Sequence, residues 1–269
     1  MTADPTYRGF ALDAETALAL LQWQAELGAD EPCLDAPLDR YELSERAEAA
    51  PTPAAPPPAA PAKARDDAAE DLAAQAEAMA AAAATLAELA AAQEAFDGIE
   101  LKKGARNFCF CDGNPAARVM IIGEAPGEEE DRQGRPFVGR AGQLLDRMFA
   151  AIGLSRQAVD AERALYITNV LTWRPPGNRR PEPAEIAMML PFLRRHVELV
   201  QPQLLVLMGN TPCIALLNRQ GILKLRGTWT EAFGLPALPM AHPAYLLRTP
   251  AAKREAWADL LSLSARLEG

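Results

Sequence analysis

The sequence predicts a three-layer α/β/α domain on a mainly parallel four-stranded sheet, preceded by an N-terminal extension that is largely helical or disordered. Three observations carry that expectation. From about residue 105, short aliphatic runs alternate with amphipathic stretches of helical period, the pattern of a parallel sheet covered on both faces. Ahead of it lie a Pro-rich run and an Ala-rich run, both poor in large apolar side chains. Charge divides at the same place: residues 1–100 hold 5 Lys and Arg against 20 Asp and Glu, and residues 101–269 hold 22 against 16.

In chain order, residues 1–50 form an extension with one short helix over 14–27. Asp13 caps it, Leu18 and Leu21 lie on its apolar side beside Trp23, and Gly28 stops it. A segment this short suits a docking element for a protein partner or for the body of the chain. Residues 51–65 open with PTPAAPPPAAPA, whose six prolines remove backbone donors and hold φ, a semi-rigid linker. Residues 66–96 form an Ala-rich helix with a sparse row at Leu72, Met79, Leu86 and Gln93, which leans on the main domain or stands free. Residues 97–269 form the principal domain. Its strands are read at 117–123, 164–171, 203–209 and 235–241, and its helices at 140–154, 183–200, 211–219 and 250–267.

Composition narrows the function. The chain has 269 residues, 49% of them hydrophobic and 23% charged, ordinary for one globular domain with an addition. No apolar run of ~18 residues is present, so no membrane span is expected. The N-terminus lacks a basic stretch followed by an apolar one, and four scattered cysteines suit a reducing compartment, so a cytoplasmic location is expected. The net charge of −9 hides an acidic N-terminal part and a basic remainder. That remainder is either an ordinary solvated face or a surface for a polyanion.

In an open parallel sheet the ligand site lies beyond the carboxyl ends of the strands. The first strand runs into GEAPGEEEDRQGRPFVG (123–139), where Gly123, Pro126 and Gly127 let backbone approach a ligand and Glu124 sits at the strand tip. No Gly-Lys-Ser/Thr follows, so this is no Walker loop, and the four acids Glu128 to Asp131 make a poor phosphate cradle. Phe137 offers a flat ring. The second strand ends at Asn169, whose planar amide can read a base edge or form a turn. Arg174, Arg179 and Arg180 follow on a Pro-rich loop suited to phosphates. The last strand leads into HPAYLLRTP (242–250), with His242, then Leu246, Leu247 and Arg248, either a buried loop anchor or a wedge for a base stack. The other histidine, His196, is read as a partly exposed or capping residue.

GEAPGEEEDRQGRPFVG, YITNVLTWRPPGNRRP and HPAYLLR, in that order, closely resemble the motifs of the family-four uracil-DNA glycosylases over about residues 97–265. The resemblance implies a monofunctional glycosylase that hydrolyses the N-glycosidic bond of uracil in DNA, leaves an abasic site and so starts base excision repair. It implies that Glu124 positions the attacking water, with Gly123, Ala125 and Glu130 at the pocket. Phe137 would stack on the flipped base, Asn169 pair with its amide edge and His242 approach O2. Leu246, Leu247 and Arg248 would enter the duplex.

Two departures qualify the carry-over. Relatives of this kind hold a [4Fe–4S] cluster on four Cys thiolates, and the matching positions here are Phe96, Ile99, Trp173 and Met189. No metal and no cofactor are therefore expected, with apolar packing in the cluster's place. Cys109 and Cys111 form a C-x-C whose side chains are expected on opposite sides of an extended segment. GRPFVGRAGQLLD also lacks the histidine-bearing insert of a branch that attaches covalently to DNA, so turnover with free uracil is expected. The expected partners are uracil-containing DNA and a protein bound through the N-terminal extension, with the enzyme a monomer on nucleoid DNA. The alternatives are a glycosylase for another deaminated base and a glycosylase-fold DNA-binding module without catalysis.

Overall fold

The computed structural model describes residues 6–7, 10–11 and 62–268. Thr6–Tyr7 (β1) and Phe10–Ala11 (β2) pair antiparallel with Tyr7 opposite Phe10, within a unit that spans Met1–Ala59. The helix expected over 14–27 and most of the linker lie outside the described residues.

Ala60–Gly269 is the second unit. Its sheet begins at Asp112–Gly113 (β3), followed by Val119–Gly123 (β4), Leu165–Asn169 (β5), Leu204–Met208 (β6), Thr230–Ala232 (β7) and Leu235–Met240 (β8). The order is β3-β5-β4-β6-β8-β7, and the four central strands are parallel. The edges β3 and β7 are antiparallel, so the sheet has six strands rather than four. At two and three residues they are too short to leave a period in the sequence. β7 turns into β8 through Phe233 and Gly234 at φ +51° and +77°, the left-handed pair of a tight hairpin.

Every residue of β4, β5 and β6 is buried, and successive residues serve opposite layers. Met120 and Ile122 join one core with Tyr166, Leu205 and Leu207, while Val119 and Ile121 join another with Leu165, Ile167 and Val206. Each such side chain contributes about 1.5–3 kcal/mol on burial.

The helices are Ala62–Ala82 (α1), Leu86–Ala95 (α2), Glu128–Gln133 (α3), Arg140–Ala150 (α4), Pro183–Val200 (α5), Asn210–Leu217 (α6), Ile222–Leu225 (α7), Pro243–Arg248 (α8) and Lys253–Glu268 (α9). Leu145 and Phe149 of α4 and Leu260 and Leu263 of α9 cover one face of the sheet. α5 covers the other with Met189, Phe192, Leu193 and Val197. Pro183 starts α5, where it removes an N–H that would have no helical partner.

The single Ala-rich helix expected over 66–96 is two helices. They break at Ala83–Thr85, where Thr85 accepts from the Glu88 N–H at 3.2 Å and the Glu88 carboxylate accepts from the Ala84 N–H at 2.7 Å. Both pack on α5, burying Ala76, Ala80, Ala83 and Leu89, and Arg195 donates twice to the Ala83 carbonyl at 2.9 Å.

His196 is a correction. Rather than a partly exposed or capping residue, it is buried, stacked on Phe110 at 4.3 Å and hydrogen-bonded through Nε2 to the Tyr166 hydroxyl at 2.8 Å. The helical period of α5 turns it inward, and burial pushes its pKa down to about 3.

Candidate active site

The carboxyl ends of the parallel strands β5, β4, β6 and β8 lie side by side at one end of the sheet. Gly123 closes β4 opposite Asn169, which closes β5. Past them the backbones stay joined, with Val170 N–H donating to Gly123 O at 2.9 Å and Leu171 N–H to Glu124 O at 3.0 Å. Gly123 has no room for a side chain. A Cβ there would stand 2.3 Å from Asn169 Oδ1 and 2.4 Å from the Phe137 ring, so the amide and the ring meet over this glycine.

Asn169 is buried, and its Oδ1 has no hydrogen-bond partner. A buried carbonyl oxygen without a donor costs about 1–3 kcal/mol, so its place in the fold points to a donor brought by a ligand. Phe137 is also buried and holds φ +54°. Such a conformation costs a non-glycine residue of order 1–3 kcal/mol and persists only where the surrounding structure over-determines it. Its ring lies 5.5 Å from the His242 imidazole, inclined by 28°.

His242 follows β8 and caps α8: its Nδ1 accepts from the Ala244 N–H at 3.1 Å. A neutral ring bonded this way carries its proton on Nε2, which is free to donate. Burial, helped by the positive charge of Arg248, pushes its pKa down to about 4, so the ring is neutral at physiological pH. Gly209, at φ +98°, takes the turn out of β6 beside the His242 side chain.

Glu124 is anchored by a residue that sequence reading missed. Thr211, in the first turn of α6 and buried, donates its hydroxyl to Glu124 Oε2 at 2.5 Å. The only signal was position: MGNTP follows the third strand at the same sheet end. Amide, imidazole and carboxylate therefore come from the ends of β5, β8 and β4, and the ring from the loop between α3 and α4.

Other expected site residues are placed differently. Glu130 spends its carboxylate on the chain, Oε1 accepting from the Val138 and Gly139 N–H groups at 2.9 and 2.8 Å and Oε2 from Gly127 N–H at 3.2 Å. It shapes the loop around Ala125 and Phe137 and has little capacity left for a substrate. Arg179 is held fork to fork by Glu185 at 2.6 and 3.0 Å, and Arg174 donates to Asn178 at 2.8 Å. Arg180 and Arg248 are exposed and form no ion pair among the described residues. Leu246 is turned into a core with Leu144, Ala241 and Ala256, because the helical twist of α8 points it inward, so it cannot enter a base stack. Leu247 remains half-buried at the surface.

The four positions that match cluster ligands do not fit an iron–sulfur centre. Phe96, Ile99, Trp173 and Met189 are all buried in one apolar core. Phe96 packs on Phe192 at 5.5 Å, Trp173 on Phe108 at 5.0 Å, and Met189 Sδ accepts from Gln93 Nε2 at 3.6 Å. None supplies a thiolate, and the described residues contain no cluster of three His, Cys, Asp or Glu able to hold a metal. Cys109 and Cys111 have separate surroundings: Cys109 Sγ donates to Glu130 O at 3.2 Å, and Cys111 lies by Tyr166. Burial pushes the Cys109 thiol up to about 12, so it is protonated.

The family description "Uracil DNA glycosylase superfamily" matches residues 110–261. The chain is 41% identical over 145 residues to a type-4 uracil-DNA glycosylase of Thermotoga maritima, covering 53% of this chain and 72% of that one. It is 36% identical over 169 residues to a type-4 uracil-DNA glycosylase of Archaeoglobus fulgidus, covering 60% and 82%. A type-5 uracil-DNA glycosylase of Pyrobaculum aerophilum is 33% identical over 130 residues, covering 45% and 54%.

Proposed function

The chain belongs to the uracil DNA glycosylase superfamily, and from that premise we propose that it hydrolyses the N-glycosidic bond of uracil in DNA, releasing free uracil and leaving an abasic site for base excision repair. The observation that carries the reading is the buried, unpartnered Oδ1 of Asn169 against the Phe137 ring.

A base within a duplex cannot be attacked at C1′, so it must first be extruded, at a cost of a few kcal/mol. Arg180 and Arg248 contact phosphates, and Leu247 takes the wedge role that Leu246 cannot. The extruded base stacks on Phe137, worth about 1–3 kcal/mol with no base preference of its own. Asn169 supplies the preference: Oδ1 accepts from uracil N3–H and the amide donates to O4. Cytosine offers an acceptor at N3 and a donor at C4, so both bonds are lost.

As the bond to C1′ breaks, negative charge gathers on the uracil and positive charge on the sugar. The Nε2–H of neutral His242 donates to O2, stabilising the departing anion, an effect of about 2.7–4 kcal/mol in comparable oxyanion sites. The Glu124 carboxylate, held by Thr211, faces the cationic sugar and orients the water that adds to C1′. No step passes through a metal, and the residues at the cluster positions serve the core. We place the reaction on nucleoid DNA in the cytoplasm, carried out by a monomer, with the N-terminal extension as an arm for a protein partner. Among the described residues no helix is long and apolar enough to cross a membrane.

The test is abasic-site formation on a uracil-containing oligonucleotide, with Asn169→Ala and His242→Ala as controls. Strong loss in both variants is expected. An inactive wild type that still binds DNA would make the chain a binding module, and activity only on hypoxanthine or xanthine would replace the substrate.

A further inference from the structure

Phe137 is a phenylalanine at φ +54°, and its backbone is gripped from both sides. On one flank Glu130 Oε1 accepts from the N–H groups of Val138 and Gly139. On the other flank lies Arg156, whose side chain is almost fully buried. Its Nη1 donates to Pro136 O at 2.9 Å and its Nη2 to Phe137 O at 2.9 Å, so one planar fork spans two consecutive carbonyls. Two carboxylates hold the fork: Asp112 accepts from Nη1 at 3.0 Å and Asp146 from Nε at 2.8 Å. Asp112 comes from β3 and Asp146 from α4, so edge strand and helix converge on the loop that carries the ring. Gly142 completes the seat, since a Cβ there would stand 1.7 Å from Phe137 O.

A left-handed phenylalanine persists only where its surroundings over-determine it. Arg156 supplies what a lysine cannot, because an ammonium has no fixed fork to bridge two carbonyls while facing two carboxylates. We propose that Arg156 is a positioning residue for the proposed uracil excision: it holds the Phe137 peptide in its left-handed form and thereby sets the aromatic wall of the base pocket. The inference rests on the glycosylase reading for its consequence in catalysis. Arg156 touches no substrate and acts through Phe137.

The test uses the full chain with Arg156→Lys and Arg156→Ala. The protein has two histidines, each stacked on a phenylalanine: His242 on Phe137 and His196 on Phe110. Their ring protons therefore report the two phenylalanine positions by ring-current shift, with His242→Gln to assign them. Arg156→Lys is expected to move the His242 resonances and leave those of His196 in place. Single-turnover excision is expected to fall about 10- to 100-fold, the scale of a small misplacement. In a Phe137→Leu background the same change is expected to cost little more. Unmoved His242 resonances, or losses that multiply across the two sites, would overturn the proposal. Arg156→Ala is the harsher variant, and if it fails to fold, Arg156→Lys decides. If the wild type excises no uracil, the substrate reading fails, and the resonances still decide whether Arg156 holds the ring.

Discussion

The Thr211 hydroxyl stands 2.5 Å from Glu124 Oε2, tying the first turn of α6 to the residue that follows β4. A carboxylate at a strand tip is otherwise free to swing toward solvent. This single bond aims it, and aiming matters more than proximity for a group proposed to face a cationic sugar and a water.

Replacing Thr211 by Val keeps the shape and removes the donor. A hydrogen bond to a charged group contributes about 1.5–3 kcal/mol, so kcat is expected to fall about 10- to 100-fold with KM nearly unchanged. Thr211→Ser is expected to restore most of the rate. Steady-state kinetics on a uracil oligonucleotide check this, and a KM effect with kcat intact would contradict it.

Asn169→Ala is expected to separate stability from activity. The Oδ1 atom has no protein partner to lose, and relief of its unmet desolvation, about 1–3 kcal/mol, offsets the packing that the truncation removes. The melting temperature is therefore expected to hold or rise. Excision of uracil is expected to drop about 10- to 100-fold, since a bidentate base contact contributes roughly 1–3 kcal/mol. A thermal melt beside a kinetic run measures both.

Both histidines are neutral, His196 buried and His242 half-buried, with pKa values of about 4 for His242 and about 3 for His196. The unfolded chain takes up these protons near 6.5, before the folded one does. Their contribution to stability is thus fully present above about pH 6.5 and drains as pH falls toward 4 and then 3. Urea midpoints are expected to decline across that window, less steeply in His242→Gln. A histidine NMR titration should show no midpoint near 6.5 for either ring.

The cluster positions predict a protein that folds without iron. Purified protein is expected to be colourless, with iron far below one cluster per chain and a melting temperature that a strong chelator leaves unchanged. Met189→Ala, which opens a cavity among Gln93, Phe192 and their neighbours, is expected to cost about 2–5 kcal/mol. Stoichiometric iron with visible absorbance would overturn this.

The strand runs and the motifs at their carboxyl ends were legible because both are local signals. VMIIG and LLVLM read as buried strands on their own, and the parallel order then carried Glu124, Asn169 and His242 to one end of the sheet. What the motifs left open about side-chain placement has one shared reason. Leu246, His196, Glu130 and Arg179 have their roles set by partners distant in the chain or by a helix face, and a motif shows a residue type without the direction of its side chain. The β3 and β7 edges were missed because two or three residues carry no period.

By itself the sequence determined the parallel α/β core, the three loops that carry the candidate site residues and the absence of thiolates where a cluster would need them. Only the tertiary structure decided which side chains gather at the candidate site and which brace it. Arg156 and Phe137 lie 19 residues apart, and Thr211 and Glu124 lie 87 apart. No local pattern encodes such pairs, because they form only when the sheet brings separate strand ends together and burial obliges each polar group to find a partner.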